Sequence, residues 1–418
     1  MISKALTKIR EEFSFVRGNL LVLIVSYALF RFTYSMHYSF ESLYIRELGA
    51  SPFIIGLMNS LGWTILALVR IPGSYIADRY GRKKIITVFT YGVATAFLFY
   101  VFANDWRLIL LGLIISNLCH VYQPALEAIE ADSISPDKRG AGYSAINVLP
   151  MLPALLAPII GGYLVERMGL VSGMKVAYSV AFAVGLVIAI LRSSFLEETL
   201  DENQKIRLEE LALGVKGSIS SIVEAWKSMS KDVFFYALAY LISALEAPLW
   251  HIYMALYAND IIGVRGLQWS AMDTVWMFTT IIVGMPLGRL IDSIGRKKSL
   301  FLAYLLSTPI IIFFILSRGF IQLLMVMIIF AAGQAIMFPA FMALQADLVP
   351  QEKRGRIMGT MGTMRILAMV LSSAIFGYLY EADPVLPFIL AVGIELITLV
   401  IFLLKVNEPE VDGPRGGA

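Results

Sequence analysis

Four stretches of this sequence set acids, bases and phenols at helical spacing inside apolar surroundings. Arg31, Tyr34, Tyr38 and Glu41 follow at intervals of three, four and three, which puts them on one helical face. Asn117, His120, Glu127 and Glu130 repeat that periodicity, and Tyr236, Tyr240, Ser243, Glu246, Trp250, Tyr253 and Tyr257 make an aromatic stripe broken by one carboxylate. Gln334, Phe338, Phe341 and Gln345 form a fourth, milder set. Burying an ionisable group in hydrocarbon costs at least ~3 kcal/mol, so each such group is expected to face a protein-lined cavity. The chemistry open to these groups is the handling of protons and ions. A carboxyl group that is neutral when buried and charged when wetted couples protonation to the opening of a cavity.

Glu127, Glu130 and Glu246 have no basic residue within four positions on their own helices. Glu127 and Glu246 are the favoured proton sites, whereas for Glu130 an ion pair with Arg70 or Lys138 competes evenly with that role. His37 and His251 stand 214 positions apart and read either as histidines satisfied by a neighbouring helix or as proton sites that titrate near neutrality. The duplication suggests that they face each other. No metal is expected, since only His37 with Glu41 has ligand spacing. Arg31, Arg70 and Arg365 could pair with these acids, hold a gate or receive an anion, with snorkelling as the plain explanation of Arg70. Glu395 reads as structural.

The surrounding composition decides what positions these residues. With 58% hydrophobic and 16% charged residues among 418, the chain carries too little polar surface for a water-soluble globule of this length. Apolar runs recur from end to end, and we place helices at about 19–44, 52–76, 84–103, 107–132, 141–165, 173–195, 232–258, 268–291, 298–317, 320–347, 356–380 and 385–405. The expected fold is an all-α integral membrane protein of twelve transmembrane helices in two six-helix, pseudo-symmetric halves. The amino-terminal half covers 1–196 and the carboxyl-terminal half 232–406. Between them, 197–231 reads as a cytosolic connector: a charged helical segment, then an interfacial helix on which Ile219, Ile222, Val223, Trp226 and Met229 share one side. The tail 407–418 is Gly/Pro-rich and expected to be disordered. Most of the 34 Lys and Arg flank alternate helix ends, which places both termini in the cytosol. The basic residues form short helix-flanking runs and no broad face, so nucleic acid is not an expected partner. Cys119, the single cysteine, allows no disulfide framework and reads as a structural thiol.

The two halves repeat. Asp78-Arg79-Tyr80-Gly81-Arg82-Lys83-Lys84 returns as Asp292-Ser293-Ile294-Gly295-Arg296-Lys297-Lys298, and Pro124 to Gly140 returns as Pro339 to Gly355 with an aspartate, Asp132 or Asp347, in the same column. Gly81 and Gly295 supply the permissive backbone of a tight turn. Arg82 and Arg296 can reach Asp132 and Asp347 at the inner ends of the fourth and tenth helices. A pair at the water boundary contributes ~1 kcal/mol, enough to bias a two-state latch severalfold. The competing reading is a topology anchor of positive charge.

On these residues the chain resembles a major facilitator superfamily transporter. The family signature Gly-x-Leu-Ala-Asp-Arg-x-Gly-Arg-Lys is matched at Gly288, Leu290, Asp292, Gly295, Arg296 and Lys297, while the first copy has Ser74 at its opening position and Gly73 one place early. Leu43 to Pro52 is similar to the family's first outer loop. Pro153, Ala157, Pro158, Gly161 and Gly162 are partly similar to the proline-glycine motif of its proton-driven antiporters, and predict a kinked, closely packed fifth helix. The resemblance implies a central cavity lined by the first, fourth, seventh and tenth helices, and an inner gate closed by Asp78 against the eleventh. The cavity residues would include Arg31, Tyr34, Tyr38, Asn117, His120, Tyr240, Trp250, Tyr253, Gln334, Phe338 and Arg365.

The expected function is secondary transport by alternating access, with proton-coupled efflux of small amphipathic or cationic compounds favoured. Uptake of an anionic or sugar-like metabolite is one alternative, motivated by Arg31 and Arg365. A carrier-like sensor or lipid-handling protein is another. No Gly-x-x-x-x-Gly-Lys-Ser/Thr loop is present, so ATP hydrolysis is not expected. Nor is an enzyme, since no nucleophile and base stand at a recognisable spacing. The expected partners are the bilayer of the cell membrane, a small-molecule substrate and protons, with no cofactor and a monomer as the working unit.

Overall fold

The computed structural model describes residues 15–135, 138–200 and 224–408, setting aside the side chains at positions 71, 74, 78, 285, 288–290, 292 and 355. The expected connector helix, most of the amphipathic stretch before Trp226 and nearly all of the tail fall outside these residues.

The first six long helices are α1 (Gly18–Tyr38), α2 (Pro52–Tyr80), α3 (Arg82–Val101), α4 (Trp106–Asp132), α5 (Arg139–Met168) and α6 (Leu170–Phe195). The next six are α7 (Lys231–Ile262), α8 (Gly266–Ile294), α9 (Arg296–Leu316), α10 (Phe320–Leu348), α11 (Arg354–Ala382) and α12 (Leu386–Lys405). Eleven helices among the described residues are long and apolar enough to cross a bilayer. The remaining one, α8, is 29 residues long and stands where the eighth span is expected. Large apolar side chains such as Leu68, Leu371 and Leu404 stay on the outside, as hydrocarbon-facing side chains must in a structure whose backbone bonds are satisfied within helices.

The chain forms two compact units, one of 1–41 with 65–213 and the other of 42–64 with 214–418. In the first unit, α6 packs along α3 and α1, and α5 packs on α1 and α6. Small residues bring these helices close. A Cβ added at Gly161 would lie 2.0 Å from the Met36 carbonyl oxygen, and one at Gly185 would lie 2.9 Å from the Ala94 Cβ. Gly73, one place early for the family signature, sits the same way, 2.2 Å from the Val121 carbonyl oxygen. As the prolines predict, α5 is broken twice, its helical pieces being Arg139–Val148, Met151–Ala154 and Ala157–Met168.

In the second unit, α9 and α8 pack on α10, while α12 packs on α7 and α9. Tyr236, Tyr304, Phe341 and Phe402 meet ring to ring at its core. Residues 42–64 join this unit through the first part of α2. Gly56 abuts the Ser373 backbone and the Tyr253 hydroxyl, Gly377 abuts the backbone of Pro52 and Phe53, and Ser60 Oγ donates to the Val370 carbonyl oxygen at 2.6 Å. The aromatic stripe of α7 is not one continuous α-helical face. Two wide turns with π-helical bonding, Leu249–Tyr253 and Ala258–Ile262, interrupt it.

The first helix ends earlier than expected. It stops at Tyr38, and a separate short helix, Glu41–Glu47, follows after a turn; Phe40 of the turn and Tyr44 of the short helix are completely buried. Glu41 therefore leaves the α1 face that Arg31, Tyr34 and Tyr38 share.

Candidate functional site

Within the first unit, α1, α3, α4, α5 and α6 surround a cavity of about 480 Å³. Its wall presents five aromatic rings, from Tyr27, Phe30, Tyr34, Phe97 and Tyr122, and it also carries Arg31, His120, Glu127, Glu130 and Arg192. Tyr34 stacks on Tyr38 with centroids 4.7 Å apart. The His120 Nδ1 N–H donates to the Ser116 carbonyl oxygen at 2.7 Å, which leaves Nε2 as the nitrogen free to meet a ligand. Asn117 does not join the cavity wall, because its amide donates back to the Leu113 carbonyl oxygen of its own helix at 2.9 Å.

The acids are partnered differently from expectation. Arg70 donates to both carboxylate oxygens of Glu127, at 2.8 and 2.9 Å, with both side chains nearly half exposed. It is therefore Glu127, not Glu130, that makes the ion pair. Glu130 instead accepts from the Tyr27 hydroxyl at 3.2 Å. The fields of Glu130 and Arg192 meet at Tyr27. Arg192, only 3% exposed, donates to Thr90 Oγ1 at 3.0 Å and lies over the Tyr122 ring. Sequence reasoning missed Arg192 because it stands one turn from the end of its span and looks like an ordinary flanking charge. Its tell is that the charge comes before the final Phe195, not after it.

His37 is buried between Tyr178, Tyr34 and Phe97 and lies 3.8 Å from Glu41. Glu41 stands beyond the end of α1, and burial pushes its carboxyl up to about 7, against the opposing hydrogen bond from Tyr178. A raised carboxyl favours the neutral form. Its stabilising contribution is complete below the ordinary carboxylate range and is lost as pH rises through about 7. In thermal melts, Glu41→Gln is expected to remove that part of the stability loss between about pH 5 and pH 8. An unchanged profile would show that Glu41 does not titrate there.

In the second unit, the Arg365 guanidinium donates to Tyr240 Oη at 3.2 Å and lies over that ring. Trp250 stacks on Phe330 with centroids 4.4 Å apart, and Glu246 is buried beside it. Tyr253, expected at the cavity, is instead fully buried, and its hydroxyl donates to the Ser373 carbonyl oxygen at 2.8 Å. The wide turn at Leu249–Tyr253 is the reason, since it shifts the helical phase beyond Glu246. His251 is exposed, as is Phe338, and Gln334 is half-buried. The described residues contain no cluster of three or more metal-ligating side chains.

The charged turns take the form their residues suggest. Gly81 and Gly295 both adopt φ +94°, where a side chain would be strained. Arg82 pairs with Asp132, and Arg296 Nε lies 3.1 Å from Asp347 Oδ2. The roles expected of Asp78, Gly288 and Asp292 concern side-chain positions outside those described. One unforeseen acid completes each turn: Glu198 accepts from the Lys83 backbone N–H at 3.0 Å, and Glu408 accepts from those of Arg296 and Lys297 at 2.9 and 3.2 Å. Each carboxylate thus caps the amino end of the helix that follows the turn, where the helix dipole favours negative charge. Both stand two residues past the last buried apolar residue of a half, Leu196 or Val406, but 210 positions apart, out of register with the repeat.

Twelve long helices, duplicated charged turns and buried ionisable groups on helix faces define a multi-pass membrane transporter and not an enzyme. The chain belongs to the Major Facilitator Superfamily, whose family model matches residues 23–272 and 250–418. An uncharacterized MFS-type transporter of Methanocaldococcus jannaschii is 24% identical over 353 residues, covering 81% of this chain and 85% of its own. Multidrug resistance protein MdtG of Klebsiella pneumoniae is 23% identical over 393 residues, covering 91% and 92%. Among solved structures, the nucleoside transporter NupG shares the fold with a TM-score of 0.70 at 13% identity, covering 93% of this chain and all of its own.

Proposed function

We propose that this transporter works by alternating access and exports small amphipathic or cationic compounds in exchange for protons. The observation that carries the reading is the first unit's cavity, which sets Glu127 and Glu130 into an aromatic wall. Aromatic faces and carboxylates together attract organic cations. Similarity to a protein named for multidrug resistance supports the same reading. The Arg70–Glu127 pair is nearly half exposed, so it contributes no more than ~1 kcal/mol, and a cationic substrate can displace Arg70 at little cost. Glu130, Glu246 and the two histidines His37 and His251 are the proton-handling candidates. Asp78, Arg82, Asp132, Asp292, Arg296 and Asp347 form the gate at the charged turns. We place that end at the cytosolic face of a cell membrane, a reading that the basic residues around it support.

The test is proton flux into proteoliposomes loaded with a pH-sensitive dye, with lipophilic cations, sugars and organic anions offered in turn. Cations are expected to trigger flux, and Glu246→Gln to reduce it at least tenfold. Flux with anions or sugars and silence with cations would overturn the cation reading. It would favour uptake through Arg31 and Arg192, which line the same cavity.

A further inference from the structure

Glu395 was expected to be structural, yet it is only 1% exposed and shares the second unit with another buried acid, Glu246. From α12 its Oε2 accepts from Thr308 Oγ1 at 2.6 Å and from Ser307 Oγ at 3.1 Å, both on α9. Its Oε1 is buried with no hydrogen-bond partner among the described residues. From α7, Glu246 accepts from the Trp250 side chain through one oxygen, and its Oε2 is likewise buried and without a partner. Tyr304 stands one turn before Ser307 and Thr308 on α9, and α12 packs on both α7 and α9, which brings Glu395 and Tyr304 within electrostatic reach of Glu246. Tyr304 is fully buried, and its oxygen also has no partner there. Three buried oxygens without a partner among the described residues thus come from three helices of one packed core. The nearby cation, Arg365 on α11, donates to Tyr240, while Asp347 on α10 pairs with Arg296.

We propose that Glu246, Glu395 and Tyr304 form a binding site for one small monovalent cation, a proton being the occupant, in the core of the second unit. Two carboxylates cannot stand bare beside each other in a buried site, so one proton held between them satisfies both free oxygens. The Tyr304 hydroxyl then donates to whichever carboxyl is ionised. Ser307 and Thr308 hold Glu395 in the orientation that leaves Oε1 facing the site. A sodium ion would satisfy the same oxygens, so the test must separate the two. The site deepens the proton-handling role of Glu246 by giving it a partner outside its own helix.

Infrared spectroscopy of the full chain carrying Glu41→Gln, in bilayers and in D2O at about pH 7 without substrate, reads the protonated carboxyl band of the pair without the Glu41 signal. That background is expected to show the intensity of one proton, which Glu246→Gln and Glu395→Gln each keep but shift, because burial holds the lone remaining acid neutral, and which only the double variant abolishes. Tyr304→Phe retains both acids and is expected to shift the band without removing it. If each Gln variant removes only its own half of the signal, the acids are independent and the proposal fails. No protonated band, together with a melting temperature raised by sodium but not by choline, would make sodium the occupant. No band and no sodium effect would overturn the site. The readout is equilibrium occupancy, so failure here leaves proton-driven flux to be judged separately.

Discussion

Gly56→Val is expected to lower transport at least tenfold in proteoliposomes. A Cβ at this position would lie 2.3 Å from the Ser373 carbonyl oxygen and 2.5 Å from Tyr253 Oη. One of these is backbone and the other belongs to a fully buried ring, so neither can give way cheaply. The first part of α2 would have to leave α11. With it would go the Ser60 hydrogen bond to Val370, the bond from the Phe53 N–H to Glu381 at 3.0 Å, and the ion pair of Arg46 with Asp260, which also accepts from Tyr380. This contact lies at the opposite end of α2 from the charged turn. In the alternating-access cycle we propose, it forms once in every turnover, and a β-branched side chain prevents that. Gly377→Val should act alike, its Cβ falling 2.7 Å from the Pro52 carbonyl oxygen. As a second readout, a cysteine at Ser60, buried in the wild type, should become reactive to a water-soluble thiol reagent in the Gly56→Val background. Wild-type transport in both valine variants would show that the close approach is not part of the cycle.

The second large effect is expected from Arg192→Met, which keeps the bulk of the side chain and removes its charge. Arg192 is a buried cation on the wall of the first unit's cavity. At an effective dielectric constant of ~20, a unit charge about 6 Å from a ligand charge contributes about 2 to 3 kcal/mol. That is at least a tenfold change in affinity. Binding of a lipophilic cation to the purified protein should tighten by that factor, while a matched anion should weaken. If neither affinity moves, the guanidinium acts only through Thr90 and Tyr122, as a packing group, and the cavity's charge preference rests on Glu127, Glu130 and Arg31.

Much of the architecture could be read from local pattern. Apolar runs of bilayer length gave the helices, the doubled charged turn predicted a glycine at positive φ, and the repeated aspartates predicted the partners of Arg82 and Arg296. These signals are local, or recur at one offset. The site was less legible because its decisive contacts join helices that no spacing rule connects. Glu127 lacks a basic neighbour on its own helix, yet Arg70 reaches it from 57 positions away. Glu395 looked structural while α12 was considered alone, and only the packing of α12 on α7 and α9 reveals its partners. Tyr253 carried the right spacing for a cavity residue, but spacing arguments assume 3.6 residues per turn throughout.

That assumption fails in α7, and the failure has a mechanical meaning. A wide turn takes up one residue more than an α-turn, so each of the two re-indexes everything beyond it by about 100°. The tip of α7 is aimed by this offset. Tyr257 reaches Phe314 on α9 and Phe388 on α12, and its hydroxyl donates to the Ile315 carbonyl oxygen at 3.1 Å, on the far side of the first turn from Glu246 and just before the second. Tightening either turn back to an α-turn would swing the tip while Glu246 stayed where it is. The helix thus behaves as a jointed shaft whose two ends can turn in separate steps without either end losing its own grip.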